Sequence, residues 1–289
     1  MQNPVPRTTH HASRITHHAS GAFTMIEIAI SLAIIGFALI AIIGVLPIGM
    51  NAQKDNREET VINQDSTVIL EAIRNGAKGL DDLTNYVVAI TNTVTVCKPS
   101  GAPKGPAIVF GYTYTDSSRN GSPMSPSFPI NNGYRIVGLL STPKYLPAPL
   151  GNSDFTSNHV VAYVRAMSGP VNEKPPQNNR AVQEFAFSYR MTSEVIPYGT
   201  NYFDPSWTVD PVYRLVLSNL QTKLHDVRLT FRWPLRSRGQ VGQGGQAFRT
   251  LVGGSLQGTN GLGLPLLNPP ASTPYDVYFF EPRNYVRAP

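Results

Sequence analysis

Hydrophobic and polar positions divide this chain into stretches of different period. From Ile28 to Met50 no charged residue occurs. At ~1.5 Å per residue, a helix over this run is about 34 Å long, enough to cross a hydrocarbon core of about 30 Å. Glu27 is the one ionised group at its edge, and a lone carboxylate beside an apolar helix is costly in lipid unless it serves a partner or a function. Beyond Pro47 the pattern turns amphipathic, with Val61, Ile62, Asp65, Val68, Ile69, Ala72 and Ile73 recurring at helical spacing. Asn75-Gly76 supplies the stop, because both residues tolerate the left-handed conformation that ends helices. The predicted helix from Phe23 to Asn75 is about 80 Å long. Its first half suits a membrane or a filament core, and its second half suits packing on a folded head.

After Gly79 the period changes to that of strands separated by Gly and Pro. Strands are predicted at 86–90, 93–97, 107–113, 134–140, 159–166, 182–191, 212–218, 227–235 and 247–252. The clearest alternation is Val227-Arg228-Leu229-Thr230-Phe231-Arg232-Trp233, with Val, Leu, Phe and Trp on one face. Glu184-Phe185-Ala186-Phe187-Ser188-Tyr189 repeats it. Regular spacing implies an antiparallel sheet whose apolar face meets the helix stripe, giving an α+β fold. Long Pro-containing loops are predicted at 117–132 and 142–158. The Gly- and Pro-rich tail ends in Tyr275-Asp276-Val277-Tyr278-Phe279-Phe280, an expected edge strand. The organisation that follows is a leader over 1–22, a spanning half-helix over 23–50, an amphipathic half over 51–79 and a β-rich head over 80–289.

Composition narrows the chemistry. The chain carries a formal charge of +6, falling to +4 if Arg7 and Arg14 leave with the leader. That excess is small, so nucleic acid is not an expected partner unless the charges cluster. Arg228, Arg232, Arg236, Arg238 and Arg249 form the one basic cluster. It reads as a solvated sheet face or a subunit contact, with DNA or an acidic polysaccharide as the alternative. Four of the six histidines fall in the leader, within a repeated Thr-His-His-Ala-Ser, which leaves His159 and His225. Cys97 is the sole cysteine, so no internal disulfide forms, and it reads as a small buried hydrophobe.

No catalytic constellation is expected. Gly254-Ser255-Leu256-Gln257-Gly258 lacks the spacing of a nucleophile elbow. The Gly-rich run from Gly239 to Gln246 lacks the Lys-Ser or Lys-Thr of a phosphate loop and reads as a flexible turn between two strands. Asp204 and Asp210 flank Trp207 without the spacing of a calcium loop. No metal or cofactor is expected.

Phe23-Thr24-Met25-Ile26-Glu27 ahead of a spanning helix resembles the type IV prepilin signature, and Ala33-Ile34-Ile35-Gly36 resembles the stretch that pilins and pseudopilins carry next. The resemblance covers about residues 21–49. It implies a pilin-like fold, cleavage by a prepilin peptidase between Ala22 and Phe23, and N-methylation of Phe23. It also implies pairing of Glu27 with the amine of a neighbouring subunit, and membership of a pilus-like filament or a type II secretion pseudopilus. The expected partners are other pilin-like subunits, the peptidase and an inner-membrane assembly platform. The expected location is the cytoplasmic membrane, with the N-terminus inside and the head outside. Two departures stand out. The family places Gly directly before the cut, where this chain has Ala22 preceded by Gly21, and the family's kinking Pro is displaced, with Gly44 at its usual place and Pro47 after it. Leu46-Pro47-Ile48-Gly49 and Phe231-Arg232-Trp233-Pro234 are also similar to the Verru_Chthon cassette protein B group of prepilin-like proteins. A membrane-anchored surface binding protein that does not polymerise is the competing class.

Overall fold

Helix α1, Met25–Asn75, is continuous through Pro47. The computed structural model describes residues 23–76, 81–125, 127–147, 154–168, 187–198, 220–236, 239–259 and 277–281. The chain forms two compact units, Met1–Asp55 and Asn56–Pro289. Within the first, α1 from Met25 onward leaves its apolar side chains exposed all round, and only Gly36 is half-buried.

In the second unit the remainder of α1 is one layer of a two-layer α+β fold. Val61, Ile62, Asp65, Ser66, Ile69, Ala72 and Ile73 are buried. Val68, predicted for the stripe, is 43% exposed and Ser66 takes its place. At about 100° per residue, Val68 lies on the flank of the face centred on Ile62, Ile69 and Ile73, whereas Ser66 lies within it. Gly76 follows the last helical residue with φ +69, as the Asn-Gly stop predicts.

The other layer is an antiparallel sheet of nine strands among the described residues, in the order β4-β3-β2-β1-β6-β7-β8-β9, with β5 paired to β6. The strands are β1 Val87–Cys97, β2 Ile108–Thr113, β3 Ser117–Arg119, β4 Ser122–Pro123, β5 Tyr145–Pro147, β6 Phe155–Arg165, β7 Ser188–Pro197, β8 Leu224–Leu235 and β9 Val241–Gly253. A separate ribbon pairs β10 Ser255–Thr259 with β11 Val277–Glu281. Ile90, Val160, Ala162, Met191, Val195, Leu229 and Phe231 on the inner face of the large sheet form one core with the α1 stripe. Tyr189 stacks obliquely on Phe231 with centroids 5.3 Å apart, and Phe248 meets Phe231 edge-on at 5.4 Å.

Several predicted elements are corrected. Residues 134–140 form helix α2, Gly133–Leu140, not a strand. A short apolar run fits either period, and the deciding feature is Asn132, whose side chain caps the helix by accepting from the Arg135 amide at 2.9 Å. The two predicted strands at 86–97 are one strand, β1. The loop at 117–132 contains β3 and β4, and that at 142–158 contains β5 and the start of β6. The strand predicted at 275–280 does not edge the large sheet but pairs with β10. Residues 212–218, and the 182–186 part of another predicted strand, lie outside the described residues.

The Gly-rich run is corrected as well, because from Val241 onward it belongs to β9. Trp233 pairs with Gly244 and Arg232 with Gly245 across β8 and β9. A Cβ on Gly244 would lie 2.5 Å from Trp233 Nε1, and one on Gly245 would lie 2.8 Å from Arg232 Nη1. These glycines are the clearance for two large side chains that lie flat across the neighbouring strand.

Candidate functional site

Phe23-Thr24-Met25-Ile26-Glu27 begins α1 with a capping box. Thr24 Oγ1 accepts from the Glu27 amide at 3.4 Å, while the Thr24 amide and hydroxyl both donate to Glu27 Oε2 at 2.9 Å. Threonine followed three residues later by glutamate satisfies two otherwise orphaned helix-end donors. The Thr-x-x-Glu spacing of this cap is visible in the sequence, and it gives Glu27 a role at the helix end beside the pairing that the resemblance implies. Oε1 makes no bond among the described residues, so the carboxylate keeps acceptor capacity. Phe23 is 80% exposed. Gly36 has open space around its Cα, and Pro47 lies within the exposed helix. Gly21 and Ala22, the other two processing residues, lie outside the described residues.

The uncharged run therefore offers a bare apolar cylinder, with Phe37 77% and Ile40 73% exposed. Water does not tolerate a contiguous surface of this size without cost. This one helix is long and apolar enough to cross a membrane.

The predicted basic cluster is only partly assembled. Arg228, Arg232 and Arg249 share the outer face of β8 and β9, with Arg228 directly opposite Arg249. Like charges in that relation repel, and Asp226, absent from the predicted cluster, resolves the conflict. Its Oδ2 lies 2.6 Å from Arg228 Nη2 and its Oδ1 accepts from Arg249 Nε at 2.8 Å. Burial raises the Asp226 pKa, but the bonds from Arg249 and Arg228, with their charges, outweigh it and leave the pKa lowered. Arg236 closes the β8–β9 turn through its amide, which donates to the Gln240 carbonyl at 2.7 Å. Arg238 lies outside the described residues.

A second polar group lies inside the head. Asp65, counted in the α1 stripe, is fully buried. It accepts from the Met167 and Ser168 amides at 2.9 Å each, from Ser168 Oγ at 2.6 Å and from Tyr189 Oη at 3.1 Å. Burial raises its pKa against the opposing pull of these bonds, and burial together with Asp65 raises that of Tyr189 well above its ordinary value. This constellation ties helix to sheet. Its donors lie about a hundred residues away in sequence, so no local pattern announced it.

His225 is buried against Phe280 at 5.3 Å, and its pKa is pushed down to about 4 by burial. Cys97 is buried, in keeping with its reading as a hydrophobe. Among the described residues no group of His, Cys, Asp or Glu is arranged to hold a metal ion. Asp204 and Asp210 lie outside them. No family model matches this chain, and no curated protein or solved structure matches it.

Proposed function

We propose that the chain is a prepilin-like structural subunit, a minor pilin or pseudopilin, that is made as a membrane-anchored precursor and joins a filament through α1. The observation that carries this reading is Phe23-Thr24-Met25-Ile26-Glu27 at the head of an exposed run, Ile28 to Met50, that carries no charge. In this reading a prepilin peptidase cuts between Ala22 and Phe23, Phe23 is N-methylated, and Glu27 holds the N-terminal amine of a neighbouring subunit. Gly36 and Pro47 belong to the helix face used in assembly. The amine, with a reference pKa near 8, is mostly protonated at neutral pH, and an opposite charge offsets the cost of bringing Glu27 into a low-dielectric contact. The precursor sits in the cytoplasmic membrane with its N-terminus inside and its head outside.

Intact-mass analysis of membrane-extracted protein tests the reading. A chain starting at Phe23 with an added methyl group is expected, and one retaining residues 1–22 or starting after Met50 overturns it. Glu27→Gln is the matching variant, because an amide oxygen still accepts from Thr24 while the charge is gone. It is expected to insert normally and to stay out of filaments. The second reading, a non-polymerising surface binding protein, draws on the exposed arginines of β8 and β9. It gains if a chain cut at Phe23 never copurifies with another pilin-like protein.

A further inference from the structure

We infer that the outer edge of β9 is a docking site for an extended acidic strand of a partner protein. This goes beyond the assembly role proposed for α1 and does not depend on it. Strand β9 is the last strand on its side of the large sheet, runs from Val241 to Gly253, and pairs only with β8 among the described residues. Such an edge is a template for another strand unless charge, proline or a covering element blocks it. No proline interrupts β9, and Arg249 is its only charged residue.

The hydrogen-bonding phase of the edge follows from the ladder. The Gly254 amide donates to the Lys223 carbonyl at 2.7 Å, and the next pair in register is Leu224 with Gly253. In an antiparallel pair, bonded and non-bonded positions alternate. Gly244, Gln246, Phe248, Thr250 and Val252 therefore bond toward β8. The amides and carbonyls of Gly245, Ala247, Arg249 and Leu251 point away from the sheet. These four positions share the outer face and are exposed, and Ala247, Arg249 and Leu251 carry side chains there.

Charge selects the occupant. On this part of the outer face Arg190, Arg228, Arg232 and Arg249 stand against Asp226 and Glu194, and Glu194 is also paired with Lys144. Arg232 lies across Gly245, toward the edge. A strand added to β9 alternates its side chains, so those on the outer face fall in turn beside Gly245, Ala247, Arg249 and Leu251. Carboxylates fit beside Gly245, where Arg232 reaches, and beside Arg249. Small or apolar groups fit beside Ala247 and Leu251, the latter 46% exposed.

The test uses the detergent-extracted full chain and a dye-labelled, β-branched synthetic peptide whose two glutamates are spaced as Gly245 is from Arg249. A twin peptide carries lysines there. Fluorescence anisotropy is expected to show saturable binding of the glutamate peptide that weakens with salt, and at least about tenfold weaker binding of the lysine peptide. Ala247→Pro removes an outward amide while leaving every bond to β8. It is expected to weaken binding by about tenfold or more, with a melting temperature within a few degrees of the parent. Absence of binding, equal binding of the two peptides, or unchanged binding to Ala247→Pro overturns the proposal. So does concentration-dependent dimerisation of the parent that Ala247→Pro abolishes, since the edge would then belong to a second copy.

Discussion

The two halves of α1 are built from one continuous helix and obey different constraints. Between Asn56 and Asn75, burial explains residue identity: Ile62, Ile69 and Ile73 reach the sheet, and Asp65 is tolerated because four donors meet it. Between Met25 and Met50 the side chains are more apolar still, yet nothing within the unit covers them. Apolarity explained by internal contacts belongs to the fold of the head. Apolarity without such contacts calls for lipid or other subunits, and that contrast is the basis of the proposed function.

The largest way to break the comparison is at the one charge inside the packed half. Asp65→Ala leaves the Met167 and Ser168 amides and the hydroxyls of Ser168 and Tyr189 facing a void. A loss of about 3–5 kcal/mol in head stability is expected, since removing one partner of a buried charged network strands the other. Urea melts of a soluble fragment starting at Asn51 measure it. A loss below about 1 kcal/mol would show that Asp65 is not the tie between helix and sheet.

Next is the sheet that receives the packed half. Trp233→Ala is expected to cost about 3–5 kcal/mol, because a buried aromatic leaves a cavity above Gly244. Arg232→Ala, on the opposite face of β8, is expected to cost under about 0.5 kcal/mol. Similar losses in the two melts would mean that the faces of β8 are assigned wrongly.

Much of this contrast was legible in the sequence. The 227–233 alternation placed Val227, Leu229, Phe231 and Trp233 inward, as found, and the Asn75-Gly76 stop ended α1 where the structure does. What escaped notice depended on contacts distant in sequence or on a cap competing with a period. The Gly244 and Gly245 positions read as a turn because their purpose lies on β8. Residues 134–140 read as a strand because Asn132 was not recognised as a cap. Asp65 and Asp226 carried no local sign of the donors and arginines that hold them. Thr24 and Glu27 have the spacing of a capping box, a local role distinct from the intersubunit pairing that the resemblance implies for Glu27.

Acid should act on the head through His225, beside the ribbon strand β11. Its folded pKa of about 4 lies below the ordinary value of 6.5, so the unfolded chain binds the extra proton first. Stability is therefore present above pH 6.5 and is lost as pH falls from there toward 4. Asp65 acts in the other direction, because its raised pKa lets the folded state take up a proton before the unfolded one. Melts between pH 7 and 4.5 on the parent and on His225→Phe separate the two. The parent is expected to lose stability over that range and the variant to lose less, and parallel curves would remove His225 from the account.

The smallest expected effect tests the comparison most directly. Ile69→Ala and Ile40→Ala delete the same atoms from the same helix, one from a side chain 1% exposed and the other from one 73% exposed. At Ile69 the deletion opens a cavity against the sheet and should cost the head about 2–5 kcal/mol. At Ile40 no contact within the unit is lost, so the melt of the head in the detergent-extracted full chain should move by less than about 0.5 kcal/mol. The effect at Ile40 should appear elsewhere, as weaker retention in membranes or filaments, because the removed surface faced lipid or a neighbouring subunit and not the head. A head destabilised as much by Ile40→Ala as by Ile69→Ala would show that the first half of α1 is part of a packed core, and the case for an exposed anchoring helix would fail with it.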